Sequence, residues 1–277
     1  MPVEQVSIVG AALEVAVPAR PRAGVSMAGF HGRTTDLIEL QVIPYPACTI
    51  FLDLGDALVT DDGAGERRRG SVAVALSSGM VHGASQDVDL LQVRLSPVVA
   101  HAVLGPGGDT GGAVLTLEDL WGREAERIPD RLRATPSWDE RFALVDNALA
   151  RRFDAGHKVD REVAFAWSRM AATHGRVRID RLADEVGWSR QRLWSRFRAQ
   201  LGITPKYAAR LIRFDHAAHR LAAGHSAASV AADSGFVDQS HLHHDIMTFA
   251  GMTTSAIADA LWLVVDPVAW PVRTSRT

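Results

Sequence analysis

Cysteine is nearly absent from this chain of 277 residues. The single Cys48 excludes an intramolecular disulfide and any metal site built on several thiolates, and its surroundings, Pro46-Ala47-Cys48-Thr49-Ile50, read as the start of a strand that buries the thiol. No apolar run reaches the roughly 18 residues that a membrane-spanning helix needs, and the N-terminus lacks the charged, apolar and cleavage-site succession of a secretory leader. A cytoplasmic location with no membrane partner is expected. Net charge is also small, -2, which excludes a generally basic coat protein for nucleic acid while leaving room for a local basic site. Catalytic signatures are missing too. There is no G-x-S-x-G, Ser77-Ser78-Gly79 with His82 nearby has no orienting carboxylate, and Gly105 to Gly112 lacks the Lys of a phosphate-binding loop. His31, His82 and His101 show no His-x-His pairing, so no metal, cofactor or enzymatic activity is expected.

What is present is a duplicated pattern around Ala183 to Pro205. Shifted by 48 residues, Ala183, Gly187 and Trp188 fall on Ala231, Gly235 and Phe236; shifted by 49, Leu193, Phe197, Gly202 and Thr204 fall on Leu242, Ile246, Gly251 and Thr253. Each copy has a small Ala on a short helix, a Gly suited to a left-handed turn, an aromatic plug and a capped second helix, which together describe a helix-turn-helix. In the first copy Ser189 is the N-cap, and Leu193 with Phe197 faces the core. Gln191, Trp194, Ser195 and Arg198 then share a different face, where hydrogen-bonding groups can meet base edges, flanked by Arg190, Arg192 and Arg196 for phosphates. In the second copy Asp238 is the cap and Leu242, Ile246 and Phe249 the core stripe, leaving Gln239, Ser240, His243, His244 and Met247 outside. Two such helices on one rigid unit suit neighbouring major-groove segments about 34 Å apart.

Charge is distributed accordingly. From Arg176 to Arg220 there are 11 Lys or Arg against Asp180, Asp184, Glu185 and Asp215, a balance of +7, so the remainder of a chain at -2 carries -9. A basic segment in an acidic protein is the footprint of a DNA-binding module. No Lys or Arg lies between Leu221 and Val272. The first unit is therefore expected to carry most of the affinity, and the second weaker or pH-dependent contacts through its histidines. Six of the 11 His lie between His216 and His244. Such a cluster suits a zinc or copper sensor, but helix-turn-helix roles for His241, His243 and His244 fit the pattern better.

Ile203-Thr204-Pro205-Lys206-Tyr207, Arg210-Leu211-Ile212-Arg213-Phe214, Gly235-Phe236-Val237-Asp238-Gln239-Ser240-His241-Leu242 and Phe249-Ala250-Gly251-Met252-Thr253 occur in order. In this succession the chain resembles the AraC/XylS family of transcriptional regulators. The resemblance implies two helix-turn-helix units joined by a long helix, here Pro205 to Ala223. His244, Ile246 and Thr254 stand where that family often has Arg, a large aromatic and Pro.

Residues 1 to about 95 read as β-rich. Leu37 to Ile43, Ile50 to Leu54, Val72-Val74-Leu76 and Leu91-Val93-Leu95 alternate with period two, and Leu58-Val59-Thr60 runs into the hairpin dipeptide Asp62-Gly63, so a sandwich or small barrel is expected. Helices are expected after Ser96-Pro97, after capping-box patterns at Thr116-Leu117-Glu118-Asp119 and Ser137-Trp138-Asp139-Glu140, and over Glu162 to His174. Leu91-Gln92-Val93-Arg94-Leu95-Ser96-Pro97, Leu117-Glu118-Asp119-Leu120-Trp121-Gly122 and Pro136-Ser137-Trp138 resemble a regulatory domain of AraC-type regulators, which binds a small effector, dimerises, or does both.

The whole reads as an α+β chain: 1–156 a β-rich regulatory or assembly domain, 157–260 the all-α DNA-binding domain, and 261–277 an apolar tail that docks on the protein's own surface. Base contacts are expected from Gln191, Trp194, Ser195, Gln239, Ser240, His243 and His244. Phosphate contacts are expected from Arg190, Arg192, Arg196, Arg198, Lys206 and Arg210, with Arg192 or Arg196 bracing the fold as the alternative. Tyr45, Phe51, Asp53, His82 and Trp121 are the candidates for an effector pocket. Double-stranded promoter DNA is the expected partner, with a small-molecule effector, RNA polymerase and a second copy of the chain as further candidates. The competing reading is a ligand-binding or interaction protein that keeps the fold with weak DNA binding.

Overall fold

A computed structural model describes residues 3–8, 11–20, 22–55, 57–61, 66–76, 81–105, 114–258 and 260–270. The strands are β1 (Val3–Ile8), β2 (Ala11–Ala16), β3 (Val25–Val42), β4 (Cys48–Asp53), β5 (Leu58–Asp61), β6 (Glu66–Arg69), β7 (Val72–Val74), β8 (Val81–Leu95) and β9 (Val114–Thr116). They form one antiparallel sheet in the order β1-β2-β3-β8-β4-β7-β9, with β5 and β6 attached at the far end of β8. Of the short strands expected from alternation, those around Ile50, Leu58 and Val72 stand as β4, β5 and β7, while those over Leu37 to Ile43 and Leu91 to Leu95 belong to two long ones of 18 and 15 residues, β3 and β8. These run together throughout, interrupted only by a bulge between Arg33 and Ile38. Along its other edge β8 changes partner, pairing Leu90 to Leu95 with β4 and Val81 to Ala84 with β5. One strand thereby carries both halves of what reads in sequence as a layered fold. Leu91, Val93 and Leu95 are fully buried on its inner face. The Asp62-Gly63 turn, Ser77 to Gly79 and most of the glycine-rich stretch after Gly105 lie outside the described residues.

Four helices follow the sheet: α1 (Pro97–Leu104), α2 (Leu117–Trp121), α3 (Arg123–Arg133) and α4 (Trp138–Ala155). Ser96 caps α1 and Pro97 opens it, and Thr116 with Asp119 forms a reciprocal capping box. Ser137, in contrast, makes no cap hydrogen bond. α4 is held instead by its apolar face, Trp138, Phe142, Val145 and Leu149, all buried, and by Arg141 pairing with Asp89 of β8 at 2.9 Å. Trp138 lies so close to β3 that a Cβ on Gly29 would come within 2.2 Å of its ring, which is why the strand carries glycine there.

The remaining helices are α5 (Arg161–Ala172), α6 (Ile179–Glu185), α7 (Arg190–Leu201), α8 (Pro205–Ala222), α9 (Ala227–Asp233), α10 (Gln239–Ala250), α11 (Thr254–Ala258) and α12 (Leu261–Ala269). Val163, Ala166, Trp167 and Met170 of α5 are buried among the helices that follow. Gly175 ends that segment at φ +73°, where a Cβ would lie 2.1 Å from the Ala209 carbonyl oxygen, so α5 is bound closely to α8. One apolar core runs without a break from the sheet through α1, α4 and α5 to Leu263 of α12. The apolar tail docks as α12 against β1, β2, β3 and α8.

Candidate nucleic-acid interface and the adjoining cavity

Each helix-turn-helix is assembled by the same local chemistry. In the first, α6 ends at Gly187 with φ +69°, Ser189 accepts the Arg192 amide, and α7 ends at Gly202 with φ +78°. In the second, α9 is followed by Gly235 at φ +77°, Asp238 accepts the His241 amide at 2.7 Å, and α10 ends at Gly251 with φ +64°. Leu193, Phe197, Leu242 and Ile246 are fully buried, so both second helices are seated by their i, i+4 apolar stripes. α8 joins the two units, with Phe214 packed against Phe249 at 5.0 Å between ring centres.

The residues expected at base edges all lie on exposed faces. Gln191, Trp194 and Ser195 are exposed on α7, as are Gln239, Ser240, His243 and His244 on α10. Trp194 keeps 45% of its surface in solvent rather than packing on a second helix, and the Arg198 guanidinium lies over its ring at 5.4 Å. His243 shares a hydrogen bond with the Thr254 hydroxyl at 3.1 Å, while the side chain of His244 is 73% exposed. His241 meets Phe236 edge-on and receives the Val237 amide, a folding role inside the second turn.

The expected phosphate-binding cations divide into groups. Arg190 and Lys206 are exposed near the starts of α7 and α8. Arg192 stacks on Trp188 at 4.6 Å, bracing the first turn while its head stays at the surface. Arg196 makes a two-pronged pair with Asp160 at 2.7 and 2.9 Å, and that hydrogen bond holds the Asp160 carboxyl below its usual range. Because Arg196 is half-exposed, solvent screens the pair and it can yield to a phosphate. Arg210 is different. It pairs at 2.7 Å with Asp245 of α10, which is 1% exposed and also faces Arg213 at 3.5 Å. Withdrawing Arg210 would leave that carboxylate short of a partner at about 3 kcal/mol, more than an exposed phosphate contact returns. Arg210 therefore ties the linker helix to the second recognition helix. This pairing competes with the phosphate contact expected of Arg210.

The five residues expected to line one effector pocket do not come together. Phe51 and Asp53 border a small apolar recess beside Val59 and Gly83. His82 sits on β8 opposite Gln41 and Thr60. Trp121 is buried, its indole N–H donating to the Val103 carbonyl at 3.3 Å beneath the Arg152 guanidinium. Of the five, only Tyr45 lines a large cavity of about 900 Å³, open to solvent and set between the sheet, α5, α8 and α12. Its walls include Ala47, Trp167 and Ile212, and at one end Arg94 is clasped between the rings of Tyr45 and Trp270 at 3.7 and 4.0 Å. Here Asp266 accepts hydrogen bonds from Tyr45 Oη (2.9 Å), Arg94 Nη2 (3.0 Å) and His219 Nε2 (3.0 Å). Burial opposes the charge on His219, but the Asp266 hydrogen bond and the Asp215 charge outweigh it and push the imidazole up to about 9. Burial likewise works against ionised Asp266, yet His219 and Arg94 bring it below the usual carboxylate range. Next to them His216 stacks on His174 at 4.0 Å, and burial together with its cationic neighbours lowers it to about 4.

Sequence reasoning missed Arg94, His219 and Asp266 as a group, since their partners are 172 and 47 residues apart. One signal pointed to it. Asp266 is the single charged residue in the apolar stretch Leu261 to Trp270. No group of His, Cys, Asp or Glu among the described residues could hold a metal ion.

A pair of capped helix-turn-helix units with exposed polar faces, carried on a basic segment, is the architecture of a DNA-binding module. A family model described as a helix-turn-helix domain matches residues 182–260. Among solved structures, ToxT from Vibrio cholerae superposes with a TM-score of 0.51 at 13% identity, covering 86% of this chain and 99% of that one. The unsaturated fatty acid bound form of wild-type ToxT gives 0.49 at 12% identity over 87% and 97%. The C-terminal domain of AraT, a response regulator from Geobacillus stearothermophilus, gives 0.35 at 16% identity over 37% and 88%. No curated protein matches the chain in sequence. The chain carries a helix-turn-helix domain over residues 182–260 behind an N-terminal β-sheet domain, the two-part fold that it shares with ToxT.

Proposed function

We propose that the protein is a cytoplasmic, non-enzymatic regulator that binds promoter DNA through α7 and α10 and answers to a small apolar carboxylate held in the cavity between its two halves. Gln191, Trp194 and Ser195 read base edges from α7, with Gln239, Ser240, His243 and His244 in the weaker second unit. Arg190, Arg192, Arg196, Arg198 and Lys206 hold phosphates. RNA polymerase is the partner that a promoter-bound regulator of this kind addresses.

The observation that carries the effector reading is the cavity's division into two ends. A volume of about 900 Å³ walled by Trp167, Ile212 and Ala47 suits a hydrocarbon body, and Arg94 with His219 at the far end suits a carboxylate. One cation comes from the sheet and the other from α8, the helix joining the two DNA-reading units, so a ligand spanning both has a direct mechanical route to DNA binding. Calorimetric titration of the full chain with decanoate and with its uncharged analogue decanamide tests this. Decanoate should bind and Arg94→Gln should weaken it at least tenfold. Equal affinity for both compounds, or an unaffected Arg94 variant, would refute the carboxylate reading.

A further inference from the structure

The carboxylate-binding end of the cavity already contains a carboxylate, and it belongs to the chain itself. Asp266 gathers three donors, Tyr45 and Arg94 from the sheet side and His219 from α8, on one side chain of α12 that is 4% exposed. We infer that Asp266 is an internal ligand: α12 fills with its own carboxylate the subsite that an effector carboxylate takes, so that effector binding displaces Asp266 and loosens α12 from α8 and the sheet. This rests on the effector reading above and adds to it the regulation of that same site.

Three features support displacement. First, the arginine offers more than Asp266 uses. Arg94 meets Asp266 through Nη2 alone, while its Nε is buried without a hydrogen-bond partner among the described residues. A free carboxylate can approach the guanidinium side-on and take Nε and Nη2 together, a geometry that Asp266 does not reach from its helix. An incoming ligand thus satisfies a donor that the internal one leaves unmet. Second, α12 is seated lightly. Val265 and Ala269 rest on a small cluster with Leu13, Val15, Ala28 and Phe30 that is separate from the main core. Of the α12 side chains described, Leu263 alone reaches the main core, so the helix can shift without opening it. Third, room for the ligand adjoins the subsite, since Asp266, Pro267 and Trp270 form one wall of the 900 Å³ cavity.

The test uses the full chain. Decanoate is titrated calorimetrically into wild type and Asp266→Asn, with decanamide as the uncharged control, and hydrogen exchange of residues 261–270 is followed in wild type with and without saturating decanoate. Asp266→Asn should bind decanoate at least tenfold more tightly, because it frees Arg94 and His219 Nε2 of the carboxylate they hold and leaves Asp215, 3.7 Å from His219 Nδ1, as the remaining acid beside them. In wild type, decanoate should speed exchange across α12. Wild-type binding with unchanged or weaker affinity in a folded Asp266→Asn, or protection of α12 on binding, would overturn the internal-ligand inference and leave the effector reading standing. Failure of both proteins to bind decanoate would overturn the two together. Should Asp266→Asn not fold, the wild-type exchange result decides alone.

Discussion

At the scale of single residues, the proposed function divides the exposed faces of α7 and α10 into side chains that should define the sequence read and side chains that should only hold the duplex. Gln191 is exposed on α7, one helical turn before Ser195. Gln191→Ala should cost about 1–3 kcal/mol on the preferred site and relax the preference at one base pair, measured by competition with single-base operator variants. Arg190→Ala should instead weaken binding on every duplex alike and reduce the slope of log affinity against log salt by about 1. Asp245 acts differently again: it is 1% exposed, with Arg210 at 2.7 Å. Its replacement by Ala should lower stability by about 3 kcal/mol in urea denaturation, and loss of DNA binding should follow from α10 coming adrift of α8. An Asp245→Ala protein of unchanged stability would remove that positioning role. The difference between Arg196 and Arg210 was not legible in sequence, where both are arginines on basic helices. What separates them is the burial of the acid opposite, Asp160 at the surface and Asp245 within the core.

Among the elements, the helix-turn-helix pair was the part most open to sequence reading, because its signals are local. Ser189 and Asp238 cap the helices they were expected to cap, and glycines stand at the left-handed turns. Ser189→Ala should accordingly cost about 1 kcal/mol of stability, read by thermal denaturation. Long-range pairing was less legible: alternation showed that Leu91, Val93 and Leu95 face inward, but nothing local told that β8 would continue to Val81 and exchange β4 for β5. α12 is the same case, an apolar segment whose docking surface comes from strands more than 200 residues earlier. Its clasp on α8 has a pH signature. His219, raised to about 9 from an ordinary value of 6.5, contributes stability that is complete below about pH 6.5 and is lost as pH rises through 9. Asp266, depressed, contributes stability that is lost only as pH falls through the acid range. Between pH 6.5 and 9.5 the melting temperature should fall more in wild type than in His219→Gln. Parallel falls would show that this contact is not linked to stability.

Over the whole molecule, the sheet, the cavity and the DNA-reading helices are parts of one packed body. Gln41 of β3 donates to the Ala250 carbonyl at the end of α10 at 3.0 Å, and His219, with Asp266 as its acceptor, stands on the helix linking the two units. These contacts are the route by which, under the proposed function, a change at the cavity should reach α7 and α10. Decanoate should therefore alter operator affinity in wild type and leave it unaltered in Arg94→Gln. All of this depends on specific DNA binding, for which fluorescence anisotropy is the direct measurement: the full chain on the DNA upstream of its own coding sequence and on a scrambled duplex, over a series of salt concentrations. The account predicts clear preference for the upstream sequence and log affinity falling with log salt at a slope of about -4 to -5, from about five phosphates held by Arg190, Arg192, Arg196, Arg198 and Lys206. Equal affinity for the two duplexes, with and without decanoate, would contradict it and favour an interaction protein that keeps the fold without reading DNA.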